Sequence, residues 1–257
     1  MPIPTHIPQL DDALGGGLPD TGLVLLGGLV CSGQQALATH MAVRCARETG
    51  RPVHHWLWRD GGWDDGTLES RARARMIASH IGAPVWDVLR YELDATQLDA
   101  LKAAVLDLRS VPLQLRTDSW SFDPIQPSHI QAAIEPGSIH VLDRIDRVHS
   151  EIPPAPQRQL IADILAATAL ERGALIVAVA NCVWPTEQDY PPDPCPIAHW
   201  TELQARADLT LLAGPTHSQR RDGLRIRIEQ GGQVAKVWCD LEPGSGRVGT
   251  LATTTRD

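Results

Sequence analysis

Short apolar runs alternate with segments whose apolar residues recur every three or four positions, and this pattern covers most of the chain. Leu23-Val24-Leu25-Leu26, flanked by Gly22 and Gly27, predicts a short buried strand. Gln34 to Thr49 predicts a helix with Leu37, Met41 and Cys45 on one face, and Gly50 is a natural stop. Pro52 to Trp58 predicts a second strand. Leu68 to His80 and Ala95 to Arg109 predict helices, the latter with Leu98, Leu101, Val105 and Leu108 in period. Ile139 to Leu142 predicts a strand ending at Asp143. Gln157 to Arg172 predicts a helix, Ala174 to Ala180 the most hydrophobic strand, and Ala207 to Ala213 another. Alternation of this kind implies an α/β fold with a mostly parallel sheet and helices on both faces. The tail differs: Leu224 to Glu229 and Val234 to Leu241, joined near Gly231-Gly232, predict an antiparallel hairpin at the end of the chain. No internal repeat is visible. Glu187 to Pro196, rich in proline and acidic residues, reads as an exposed loop and not as a domain boundary, so residues 1–257 are expected to form a single domain.

The bulk numbers narrow the function classes. The chain has 257 residues and a formal net charge of −8, which argues against a general electrostatic grip on nucleic acid. No apolar run is long enough to span a bilayer, and Met1 to Asp12 carry neither a basic nor an apolar leader segment, so no signal peptide and no membrane partner are expected. The five cysteines, Cys31, Cys45, Cys182, Cys195 and Cys239, form no C-x-x-C pair. A reduced, cytoplasmic setting is the simplest reading. Cys182, Cys195 and His199 match no standard zinc spacing, so packing or loop roles are expected of them and no metal.

One motif carries chemistry. A phosphate loop runs strand, G-x-x-x-x-G-K-[ST], helix: its glycines let backbone N–H groups wrap a phosphate, its lysine neutralises the outer phosphates, and its hydroxyl holds magnesium. Here the strand at Leu23 to Leu26 precedes Gly28, four residues that include Ser32, then Gly33 and the helix. Gln34 and Gln35 stand where lysine and the hydroxyl belong. A strand-to-helix turn needing glycine for its dihedrals would read the same way; the flanking elements favour the phosphate loop. Glutamine can donate a hydrogen bond to phosphate but supplies no positive charge.

Several segments, in colinear order from about His6 to Val248, resemble the C-terminal motor domain of DnaB-type replicative helicases. Ile7 to Gly17 looks like the stretch leading into the phosphate loop, a feature shared with the RadA and KaiC relatives. Arg75 to Ile81, the short stretch Pro84 to Arg90, the helix Ala95 to Arg109 and Val111 to Leu115 follow the DnaB order. Thr201 to Leu209 resembles the stretch before the last core strand, and Leu241 to Arg247 resembles the family's closing motif. The resemblance implies a RecA-like fold. It also implies that Asp143 is the Walker B aspartate, that Asn181 stands at the polar sensor position, and that Gly28, Ser32, Gly33, Gln34, Gln35 and Asp143 are a vestigial nucleotide site. The water-polarising glutamate should lie near Trp58, with Asp60 the one carboxylate close by; the basic finger should lie near Ile228 to Gly232, where Ile228, Glu229 and Gln230 stand, with Arg225 and Arg227 preceding. Lysine, magnesium hydroxyl, glutamate and finger are thus all replaced. Phosphoryl transfer rests on positioning and charge stabilisation, and loss of a finger alone costs roughly 10³–10⁵ in rate. No catalytic residue and no bound cofactor are therefore expected, with magnesium-ATP held weakly at best.

The resemblance begins where the motor domain begins, so the family's collar domain and linker helix are not expected, and a self-sufficient ring is less expected than the fold. The implied role is a catalytically inactive paralogue, a structural or regulatory subunit that contacts a RecA-fold neighbour or a replication or recombination protein, as a homo- or hetero-oligomer. An ATP-dependent DNA helicase or translocase subunit with a variant loop, and a RadA- or KaiC-like regulator, are the alternatives. Arg144, Arg147, Arg158, Arg220 and Arg221 fall where channel loops would lie, so weak single-stranded DNA contact is an open reading beside a solvated surface. Asp146 reads as a solvated neighbour of Asp143. Trp184, Tyr190 and Trp200 bracket the proline-rich loop and fit base stacking, a protein anchor or loop pinning equally. His54 and His55 on their strand read as satisfied core histidines rather than ligands.

Overall fold

The computed structural model describes residues 1–28, 33–57, 65–116, 127–143, 145, 155–181, 201–217, 220–242 and 244–249. Ser32, Trp58, Asp60, Arg144, Asp146, Arg147, the proline-rich loop with its aromatics, and Cys31, Cys182, Cys195 and His199 lie outside the described residues. Strands β1 (Gly22–Gly28), β2 (Val53–Trp56), β3 (Leu113–Arg116), β4 (Ile139–Leu142), β5 (Leu175–Asn181), β6 (Leu209–His217), β7 (Arg220–Gln230), β8 (Gln233–Glu242) and β9 (Arg247–Gly249) join, among the described residues, into one sheet ordered β3-β2-β4-β5-β1-β6-β7-β8-β9. From β3 to β6 every pairing is parallel; from β6 to β9 every pairing is antiparallel.

Apolarity on both faces puts β1 and β5 at the centre. Leu23, Leu25, Ile176 and Ala178 point into one core, with Ile161 and Leu165 of helix α7 (Ala155–Glu171) and Leu203 of helix α8 (Thr201–Arg206). Val24, Leu26, Val177 and Val179 point into the other, with Leu37, Met41 and Cys45 of helix α2 (Gln34–Thr49) and Leu10 of helix α1 (Pro8–Ala13). Alternate residues of one strand thus face opposite cores, which is what a sheet covered on both sides demands. A smaller apolar cluster ties helix α3 (Asp65–Ile81) to helices α4 (Val85–Arg90) and α5 (Ala95–Ser110) through Ala78, Val88 and Leu101. Asp94 and Gln97 close a reciprocal capping box at the start of α5. Helix α6 (Pro127–Ala133) precedes β4.

The structure departs from the sequence expectations in three places. The hairpin at Leu224 and Val234 is half of a four-stranded antiparallel ribbon, because β6 runs on to His217 and the closing motif returns as β9. Its turn, Gly231 and Gly232, has φ of 56° and 80°, the doubly positive φ that a two-residue primed turn needs. Pro84 to Arg90 is a helix, not a bare linking stretch, and its first amide donates to Gly244 O, fastening it to the closing motif. His54 and His55 are both buried, yet only His54 meets the expectation of a satisfied pair.

His54 stacks on His140 of the neighbouring strand with ring centroids 4.8 Å apart. Its Nδ1 accepts from Arg116 Nε at 3.4 Å and its Nε2 lies 3.4 Å from Glu135 Oε2. Trp56 Nε1 donates to His140 Nδ1 at 3.0 Å. Indole N–H is a donor only, so the His140 proton resides on Nε2, 2.6 Å from Ser138 Oγ. Burial above all, then the neighbouring His54, Arg116 and Arg172, push the His140 pKa down to about 3. His55 points to the opposite face, is 2 % exposed and has no hydrogen-bond partner on either ring nitrogen among the described residues. Burial and the nearby Arg75 guanidinium lower its pKa to about 4.

Candidate functional site

In a parallel sheet with helices on both faces, the loops at the carboxyl ends of the strands form the ligand-binding edge. Gly28 ends β1, Asn181 ends β5 directly beside it in register, and Asp143 follows β4. All three therefore stand at one edge, as the phosphate-loop reading requires. Asp143 is 6 % exposed, and its amide donates to Trp56 O at 3.0 Å, holding it level with the end of β2. Ser32 and Asp60 lie outside the described residues.

Helix α2 begins at this edge. Gly33 is its N-cap, with φ of 97°, a conformation that L side chains rarely adopt. It is also crowded: a Cβ there would stand 2.8 Å from Leu241 Cδ2 and 3.0 Å from Leu224 Cδ1. Gln34, at the position where the motif has lysine, is 2 % exposed and donates from Nε2 to Asn181 Oδ1 at 3.0 Å. The amide is turned inward across the sheet edge and held by the sensor-position residue. Gln35 lies on the other side, in the wall of a cavity of about 290 Å³.

That cavity was not legible as a site in the sequence. Gln35 and Thr39 of α2, Arg75 and Ser79 of α3, and the turn Gly244 to Gly246 line it. Arg75 and Ser79 stand four residues apart, hence on one face of their helix. The spacing in Arg75 to Ile81 carries that signal, but nothing local says that this face meets the start of α2.

The remaining sequence candidates separate. Arg158 is paired with Glu202 at 2.8 Å, their side chains 16 % and 15 % exposed, and this bond holds the Glu202 carboxyl below its ordinary range. As a free channel cation Arg158 is thereby discounted. Arg227 is paired with Glu229 at 2.7 Å, and Gln204 also donates to Glu229. Arg220 and Arg221 lie on β7. Cys45 and Cys239 are free and buried, with thiols pushed up to about 12 by burial. Among the described residues no group of three or more His, Cys, Asp or Glu could hold a metal ion, and no helix is long and apolar enough to cross a membrane.

No protein-family model and no curated protein matches this sequence. Solved structures do. An ATPase domain of the DnaB-like helicase kind superposes with a TM-score of 0.78 at 15 % identity, over 98 % of this chain and 92 % of that one. A DnaB-like replicative helicase, solved with attention to its interactions with primase, superposes with a TM-score of 0.74 at 16 % identity. That match covers 98 % of this chain but 64 % of the helicase, so this chain spans less than two thirds of that protein's length. The RadB recombinase gives a TM-score of 0.55 at 16 % identity, over 97 % of this chain and 99 % of that one. The backbone arrangement, a parallel core with a phosphate-loop position at its carboxyl edge and an antiparallel ribbon beyond, is the RecA-like fold in its DnaB-type form.

Proposed function

We propose that this chain is a catalytically silent relative of the DnaB-type motor domain, folded as one domain, which serves as a structural or regulatory subunit in a replication or recombination assembly. One observation carries the reading. The residue at the lysine position, Gln34, is uncharged, buried and bonded to Asn181, so it brings no cation to a triphosphate. Phosphoryl transfer depends on charge stabilisation at that point. The pairing of Arg227 with Glu229 supports the same view of the finger region. A phosphate-release assay with and without single-stranded DNA is expected to show no turnover. Hydrolysis abolished by Asp143→Asn would overturn the proposal in favour of an ATP-dependent motor subunit.

The same reading makes protein, not nucleic acid, the main partner. Neutralised phosphates supply most non-specific DNA affinity, the chain carries a net charge of −8, and Arg158 is spent on Glu202. Fluorescence anisotropy at physiological salt is expected to give weak single-stranded DNA binding. Sub-micromolar affinity that falls steeply with added salt, and is lost in Arg144→Ala with Arg147→Ala, would reverse this assignment.

A further inference from the structure

The cavity beside Gln35 is rich in donors and poor in acceptors. Arg75 is half-buried in its wall and makes no hydrogen bond or ion pair among the described residues. An arginine so placed, without a carboxylate, is uncommon, because a guanidinium taken partly out of water needs a counter-charge. Thr39, 7 % exposed, lines the same space, and its hydroxyl has no partner among the described residues. The side chains of Gln35 and Ser79 are likewise unpartnered among the described residues. Among those residues no aspartate or glutamate lines the cavity. The nearest carboxylate of the closing motif, Glu242, accepts from Ser245 Oγ at 2.7 Å. A buried hydroxyl, a half-buried hydroxyl and a cation thus face a space that, among the described residues, has no acid in its wall.

We infer that this cavity binds a phosphate monoester without magnesium, gripped by the Arg75 guanidinium with the Thr39 and Ser79 hydroxyls. A planar guanidinium matches phosphate oxygens two at a time. At about 290 Å³ the space is at the small end of ligand pockets, which suits a phosphate and a sugar and is tight for a nucleoside triphosphate. Asp143, the residue expected to serve a magnesium ion, does not line it. The inference rests on the reading of the Gln34–Gln35 loop as one that no longer holds a triphosphate by lysine and metal. It assigns the positive charge of the region to α3 instead of α2.

Isothermal titration of the full chain with inorganic phosphate, ribose 5-phosphate, AMP and ATP, each in EDTA and in magnesium, tests it. Binding of at least one monoester that is indifferent to EDTA is expected. Preference for AMP over ribose 5-phosphate would identify a nucleotide as the occupant. Arg75→Gln is expected to weaken binding at least tenfold, Arg75→Lys less, and Thr39→Val a few-fold. Because Arg75 has no partner to lose among the described residues and lies near the buried His55, Arg75→Gln is expected to melt no lower than the parent chain without ligand. No binding of any probe at millimolar concentration, or binding unchanged in Arg75→Gln, overturns the inference. Inorganic phosphate binding as well as the esters overturns the ester assignment. Binding that requires magnesium and fails in Asp143→Asn also overturns it. ATP turnover measured on the same samples reports separately on the silent-motor reading, since hydrolysis would refute that reading whatever Arg75 does.

Discussion

Acidification from pH 7 to pH 4.5 is expected to remove about 5 kcal/mol of folding stability, most of it through His55 and His140. Both are buried and neutral in the fold, with pKa values lowered to about 4 and about 3. In the unfolded chain each returns to an ordinary value of about 6.5. Below that value the unfolded state binds more protons than the folded state. Stability is therefore complete above about pH 6.5 and falls as pH drops, at about 1.4 kcal/mol per histidine per pH unit, until the folded pKa is reached. Protonating His140 has a structural consequence as well, since its Nδ1 already accepts the Trp56 indole proton. Glu202, whose pKa is lowered by Arg158, loses its contribution only below the carboxylate range, so the two effects occupy different windows. Urea unfolding at pH 7, 5.5 and 4.5 measures the total. His55→Phe should remove roughly half of the slope, since two rings share it. A flat stability between pH 7 and 4.5, or a slope unchanged in His55→Phe, would show that these rings are not the acid-sensitive elements. Against a typical domain stability of about 5–15 kcal/mol, a loss of this size brings the chain close to unfolding.

Gly33→Ala is expected to cost about 2–4 kcal/mol, the sum of two terms. The residue sits at φ of 97°, and a side chain in that region costs about 1–3 kcal/mol. Its Cβ would also meet Leu241 and Leu224 at 2.8 and 3.0 Å, and overpacking of this kind costs about 1–3 kcal/mol. Reduced freedom of the unfolded chain offsets up to about 1 kcal/mol. Gly50→Ala is the control, because Gly50 ends the same helix at φ of 62° with nothing within 4 Å of its added Cβ. Chemical denaturation of both variants should show Gly33→Ala clearly worse. Equal costs would mean that the two leucines do not pack on the phosphate-loop glycine.

Those leucines mark the boundary of what local sequence can say. Gln34 to Thr49 was legible as a helix, and Ile139 to Leu142 as a strand, with the bounds the structure has, because each depends on the period of its own apolar residues and on its own stop signals. The parallel class followed from alternation, and the carboxyl-edge placement of Gly28, Asn181 and Asp143 followed from the class. The replaced lysine was legible too, since a motif is a local pattern. Helix α4 was not, because six residues with little periodicity form a helix here by docking on Gly244 and on the apolar cluster around Val88.

What only the tertiary structure decided is which distant residues meet. His54 meets His140 because β2 pairs with β4 in a particular parallel register, and parallel partners are separated by crossovers that carry no record of the pairing. Gln34 meets Asn181 because β5 lies beside β1. Arg75 meets the start of α2 through the packing of α3 and the closing turn. Burial then sets the chemistry: the same imidazole or guanidinium that is one more polar side chain in the sequence acquires its pKa, its missing partner or its ligand from neighbours brought from far along the chain. Sequence periodicity determines elements and class; the long-range pairings that build an electrostatic environment exist only once the chain is folded.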